Sequence, residues 1–189
     1  DPEFAGKLAE AGLNTIYLQF DGLREEIYEN ARGRPMLDIK RRAIENIRAL
    51  EKPPSIVLVP TIVNGINQDQ VGPILQFAIE NSDIIRGVNF QPVAFTGRID
   101  KEQREKERYT LTDMVRDVGE QTGYTTKDDW YPVPAVAPIS SFVSSILGEE
   151  KVTFTAHPHC GLATYLFIQD GKVIPLTRFI DVEKLFTGL

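Results

Sequence analysis

Apolar residues follow two rhythms in this chain, and the stretch 55–79 (SIVLVPTIVNGINQDQVGPILQFAI) contains both. Ile56, Val57, Leu58 and Val59 form an unbroken run of β-formers, the pattern of a strand buried on both faces. Val71, Ile74, Leu75, Ala78 and Ile79 then recur at helical spacing, so one helix face is apolar. Between them Asn64-Gly65 signals a turn. Asn67 is expected to cap the helix, with Gln70 as its capping-box partner. Pro73 falls about one turn inside, where a missing N–H is tolerated. The stretch predicts one β/α unit, and the same alternation extends to either side.

Asp1 caps a short helix opened by Pro2, with Phe4 and Leu8 on one face and Gly12 as its stop. The run 15–20 (TIYLQF) predicts a first strand ending at Gln19, Asp21 and Gly22. A polar stretch containing Arg32-Gly33-Arg34 follows, with no element assigned. Pro35 opens a helix whose Ala43, Ile44, Ile47 and Leu50 face a core. Residues 85–93 (IRGVNFQPV) predict a third strand that ends near Pro92. The charged run 98–108 reads as a solvated loop or helix face, or else as a substrate clamp or partner surface. Thr110 caps a helix bearing Leu111, Met114, Val115 and Val118, with Gly123 past its end. Pro132, Pro134 and Pro138 make 127–138 extended rather than helical. Ile139, Phe142, Val143, Ile146 and Leu147 form a compact helix closed by Gly148. A short strand at 152–155 follows, then a hairpin of 164–169 and 172–175 around Asp170-Gly171. Asp181 caps a last helix with Leu185 and Phe186.

Three strands separated by helices imply parallel pairing with right-handed crossovers, and 55–63 is the expected central strand. The fold class is α/β: parallel β/α units that form either an open sheet or part of a barrel whose first half lies outside this chain, followed by a C-terminal α+β tail. The expected domains are 1–125 for the β/α units and 126–189 for the tail. Ligands of such sheets collect at the carboxyl ends of the strands. Those ends carry Gln19, Asp21, Thr61, Asn64, Asn89 and Gln91, a set suited to a ribose, an amino-acid moiety or an amide. Each of these residues also has an ordinary structural use, Asp21 and Asn64 as turn formers and Asn89 as a satisfied strand residue.

Composition narrows the classes. A chain of 189 residues with 42% hydrophobic and 25% charged residues builds a core without staples. The net charge of −6, without a basic stripe, argues against nucleic acid. No apolar run reaches about 18 residues, so no membrane span is expected. One cysteine excludes an internal disulfide framework, and the expected location is cytoplasmic. The opening Asp1-Pro2, without Met, suggests a processed or excised segment or a cloning remnant.

The two histidines and the lone cysteine, His157, His159 and Cys160, fall within four residues. Imidazole and thiolate are preferred zinc and iron ligands, but neighbouring residues do not easily converge on one ion. A metal or cluster site, a nucleophilic Cys160 activated by a histidine and a structural turn all remain open.

The segments TIYLQFDG, VPTIVNGINQDQVGPILQFA and IRGVNFQPV resemble strands four to six of radical S-adenosylmethionine enzymes. The middle one is similar to the molybdenum-cofactor biosynthesis A type. With YPVPAVAPIS and TAHPHCGLATYLF, nearly the whole chain resembles a group of predicted iron–sulfur oxidoreductases that includes the tetraether lipid synthases and some pterin-modifying enzymes. The resemblance implies a partial TIM barrel holding S-adenosylmethionine and a [4Fe–4S] cluster, for radical chemistry at C–H bonds of a small-molecule or lipid substrate. The CxxxCxxC cluster loop is absent, so the chain is expected to be an inactive C-terminal half that lacks its N-terminal partner half. It is also expected to dimerise through an exposed strand edge. Gln19 and Asp21 are implied near the ribose or methionine, Thr61 and Asn64 at the next strand end, and Asn89 and Gln91 near the adenine. Cys160, with a histidine, is implied to bind an auxiliary iron–sulfur cluster or zinc. The alternative is a metal-binding or interaction module using His157, His159 and Cys160 without radical chemistry.

Overall fold

Burial alternates without a break along 55–63. In the computed structural model, which describes residues 1–150 and 156–188, Ile56, Leu58, Pro60 and Ile62 are buried. Val57, Val59, Thr61 and Val63 are only half-buried. The expected burial on both faces is therefore corrected. β-formers at every position satisfy a strand's backbone preference equally, so composition alone does not reveal that only one face is sealed.

The chain forms two compact units, Asp1–Asp117 and Val118–Leu189. The first opens with α1 (Pro2–Glu10), where the Asp1 carboxylate accepts the N–H of Glu3 at 3.0 Å. β1 (Thr15–Gln19), α2 (Glu25–Arg32), α3 (Leu37–Arg48), β2 (Ser55–Val59) and β3 (Thr61–Ile62) follow. Then come α4 (Val71–Glu80), β4 (Ile85–Val88), β5 (Gln91–Pro92) and α5 (Lys101–Glu107). α6 (Leu111–Thr122) runs on into the second unit.

β2 is the middle strand of a three-stranded sheet ordered β1-β2-β4, with both pairings parallel, as expected. β3 and β5 continue the pairing in parallel beyond Pro60. The architecture is mixed α/β with short parallel sheets and no closed barrel among the described residues. Register groups Ile16, Ile56 and Ile85, then Leu18, Leu58 and Val88, on the sealed face. Tyr17, Val57 and Gly87 lie on the other, where Tyr17 is 61% exposed.

α2 lies in the stretch to which the sequence assigned no element. Only Ile27 and Tyr28 of its eight residues are buried, too few for a visible apolar stripe. Gly33 ends it at φ 72, a left-handed position that favours glycine. α4 also differs, because Asn67 makes no side-chain cap and the helix begins at Val71 after a 3-10 turn over Gln68–Gln70. α5 buries nothing, as expected of the charged run. Thr110 and Asp113 bond reciprocally at the start of α6.

The second unit contains β6 (Tyr131–Pro132), α7 (Val136–Leu147), β7 (Leu162–Ala163), β8 (Leu166–Gln169), β9 (Lys172–Pro175) and α8 (Val182–Gly188). β6 pairs antiparallel with β7. The stretch 127–138, expected to be extended, holds two 3-10 turns and the first turn of α7, where Pro138 is tolerated. β8 and β9 form the expected hairpin, with Asp170 at φ 51 and Gly171 at φ 74, the geometry of a type I′ turn. The strand expected at 152–155 lies outside the described residues. No described helix is long and apolar enough to cross a membrane.

Candidate functional site

The chain leaves β1 through Phe20 and Asp21, both buried. One Asp21 oxygen accepts the N–H of Thr61 at 3.0 Å. The other accepts from the Gln19 amide and from Arg32, through Nε at 3.2 Å and Nη2 at 3.0 Å. Asn67 completes the knot: its amide donates to the carbonyls of Asp21 and Thr61, both at 2.9 Å, and its oxygen accepts from the Val63 N–H at 2.9 Å. Gln70 accepts the N–H of Leu23 at 3.0 Å, and the Tyr28 hydroxyl donates to the Gly22 carbonyl at 2.9 Å. Burial pushes that hydroxyl's pKa well above the usual tyrosine range. A side chain on Gly22 would lie 2.5 Å from the Ile27 Cδ1. The ends of adjacent strands are thus tied together by buried polar side chains, as buried backbone groups require.

On the half-open face the register sets Gln19 beside Val59, and Thr61 beside Gln91. Asn89 continues from Val88, the partner of Leu58, and its N–H reaches the Leu58 carbonyl at 2.7 Å. Gln19, Thr61, Asn89 and Gln91 are therefore brought to one end of one face. Of these, only the Gln19 side chain is engaged, and those of Thr61, Asn89 and Gln91 make no hydrogen bond among the described residues. Asp21 lies at the end of the same strand with its carboxylate already saturated. Asn64 stands apart, exposed, its amide donating to the Lys106 carbonyl at 2.8 Å.

Arg32, Lys40, Asn67 and Gln70 were not identified as site residues by the sequence. Arg32 was visible only as part of a polar stretch, and Asn67 looked like a cap because its spacing to Gln70 fits one. Nothing in the periodicity marks Lys40. Its ammonium is half-buried in the first turns of α3, and burial lowers its pKa. Asp21 opposes that shift, while Arg32 and Arg34 add to it.

The turn at 157–160 is closed by the Cys160 N–H donating to the His157 carbonyl at 2.8 Å. The His157 Nδ1 accepts the N–H of His159 at 3.3 Å, and the two rings stack 5.2 Å apart. Cys160 is exposed. No group of three or more His, Cys, Asp or Glu among the described residues is arranged to hold a metal. His157, His159 and Cys160 thus share one tight turn.

No protein-family model matches the chain. A curated protein of Methanocaldococcus jannaschii, named 7,8-dihydro-6-hydroxymethylpterin dimethyltransferase, is 52% identical over 179 residues. The match takes in 94% of this chain and 35% of the relative, so the chain spans about a third of that protein's length. The relative's name corrects the functional expectations. It describes methyl transfer to a pterin, a different reaction from that of a radical S-adenosylmethionine iron–sulfur oxidoreductase. The expected membership of that superfamily and its inactive-fragment reading do not stand. Nor do the S-adenosylmethionine, the [4Fe–4S] cluster and the auxiliary cluster or zinc at Cys160. The metal-binding module gains no support either.

Proposed function

We propose that this chain is the pterin-holding part of a pterin methyltransferase, and that the half-open sheet face receives the pterin. The likeness to the named dimethyltransferase, through nearly the whole of this chain, carries the reading. The face suits a flat heterocycle with a polar edge. Val57, Val59 and Gly87 offer a low floor, and Tyr17 an exposed ring beside it. Asn89, Gln91 and Thr61 offer unengaged groups that both donate and accept. A pterin edge alternates the same two kinds of group. The role of these residues is to bind and orient. β1 and β4 each have one unpaired edge among the described residues, which fits one arc of a larger β/α barrel with this face turned inward.

Titration of the chain with 7,8-dihydro-6-hydroxymethylpterin, without oxygen and followed calorimetrically, tests the reading. Saturable 1:1 binding is expected, weakened about fivefold by Asn89→Ala and again by Gln91→Ala, since each removes one hydrogen bond worth about 1 kcal/mol. No binding, or equal affinities in all three proteins, would overturn it.

A further inference from the structure

We propose that the open cavity beyond the carboxyl ends of β3 and β5 binds an organic oxyanion, a carboxylate or a phosphate ester, between Arg104 and Arg108. The inference goes beyond the pterin reading and does not rest on it.

One cavity joins the residues. It measures about 400 Å³ and is lined by Val93, Phe95, Arg104, Glu105, Arg108 and Tyr109, a volume in the range of small-molecule sites. Its place follows from the strands. Val93 prolongs β5, its N–H donating to the Ile62 carbonyl at 3.0 Å. Asn64, just past β3, donates its backbone N–H to the Glu107 carbonyl at 3.1 Å and its side-chain amide to the Lys106 carbonyl at 2.8 Å. Tyr109 is buried, with its hydroxyl donating to Asp117 at 2.6 Å. The end of α5 is thus fixed against the strand end on one side of Arg108 and anchored by a buried ring on the other.

The charges select the ligand. Arg104 and Arg108 lie four residues apart, one helical turn, and both face the cavity. Neither side chain makes a hydrogen bond or ion pair among the described residues. The acids of the segment are engaged elsewhere. Glu105, the acid of the lining, pairs with Lys101 at 3.8 Å. Asp100 caps α5 by accepting the N–H groups of Glu102 and Gln103, and Glu107 accepts from the Gln103 amide at 3.2 Å. Asp117 accepts from Arg116 as well as Tyr109. The lining therefore stays positive with Glu105 counted, and its two guanidiniums keep donor forks that match a carboxylate or a phosphate. Val93 and Phe95 supply an apolar wall beside them, so the anionic group is expected to be carried on an apolar or aromatic body.

Calorimetric titration of phenyl phosphate, benzoate, inorganic phosphate and neutral benzyl alcohol into wild type, Arg104→Gln, Arg108→Gln and Lys106→Gln, at fixed ionic strength, tests the site. All three positions are exposed, so melting temperatures are expected to stay at the wild-type value. Wild type is expected to bind an aryl anion saturably at 1:1, and each arginine variant about fivefold more weakly, the loss of one charge-assisted bond. Lys106 shares the helix but not the lining, and its variant is expected to bind as wild type does. Tighter benzoate identifies the group as a carboxylate and tighter phenyl phosphate as a phosphate ester, and either supports the site. No saturable binding of either aryl anion, unchanged affinity in both arginine variants, or an equal loss in Lys106→Gln would overturn it. Inorganic phosphate bound as tightly as phenyl phosphate would overturn the role of the apolar wall, and benzyl alcohol bound as tightly as the anions would overturn the oxyanion assignment.

Discussion

Asp21 and Asp129 are alike at first sight: each is 1% exposed, accepts a backbone N–H and pairs with an arginine that reaches solvent. Their surroundings differ. Asp129 belongs to the second unit, where it caps its own 3-10 turn by accepting from the Thr126 N–H at 2.7 Å and hydroxyl at 2.8 Å. It also accepts from the Thr177 hydroxyl and from Arg178 at 3.0 Å, tying that turn to the segment after β9. One arginine balances its charge, and the other donors are neutral. Around Asp21 the partners come instead from separate strand ends and from α2: the Gln19 amide, the Thr61 N–H and Arg32. A buried carboxylate therefore does not by itself distinguish a staple from a site, whereas the origin of its partners does.

The largest effect is expected at the staple. Asp129→Ala leaves Thr126, Thr177 and Arg178 without their acceptor and should lower stability by about 3 kcal/mol. Urea unfolding followed by fluorescence of Trp130, the chain's one tryptophan, reads it within the second unit. Burial works to raise the Asp129 pKa, but hydrogen bonds from Thr177 and Thr126 outweigh it and hold the group below the usual 3.8. Its stabilisation is thus complete above that value and lost as pH falls through the folded one. The gap between wild type and mutant should narrow in acid, and a constant gap down to pH ~2 would break the comparison.

Asp21→Asn should cost less, about 2 kcal/mol, because the amide oxygen still accepts one N–H while the charge-assisted bonds to Arg32 weaken. Urea unfolding by circular dichroism measures it. No loss of stability would mean that Asp21 is available to a ligand after all. Gly22→Ala is the smallest, about 1 kcal/mol, since the new methyl group meets a side-chain end at Ile27 that can shift. A loss above about 3 kcal/mol would show that the whole knot around Gln70 gives way.

Much of the first unit was legible in the chain. The strand runs at 15–20, 55–63 and 85–93 announced a parallel sheet, because intervening helices leave few other pairings. The Asp170-Gly171 turn announced its hairpin because few residues accept positive φ. Four of the six strand-end residues do share one end of the sheet face. What stayed hidden is tertiary. Asn67 fits a cap by spacing, yet three backbone groups from elsewhere claim its side chain. Lys40 lies on the helix after α2, a short element that buries only Ile27 and Tyr28 and that the sequence left unassigned. The cluster of His157, His159 and Cys160 was legible only as a turn carrying ligand-type side chains, and the structure describes that turn.

The alternating burial along 55–63 also divides how freely this segment can change. At Ile56, Leu58 and Ile62, each fully buried, a new side chain must fit a filled interior. At the intervening Val57, Val59, Thr61 and Val63 the backbone tolerates many residues, and a change alters what the sheet presents rather than whether it forms. Two neighbouring positions can thus answer to separate demands, so ligand preference can drift along one side of a strand while the scaffold behind it stays the same. A deletion of a single residue would exchange the two sets at once, which makes length, more than composition, the property this strand cannot vary.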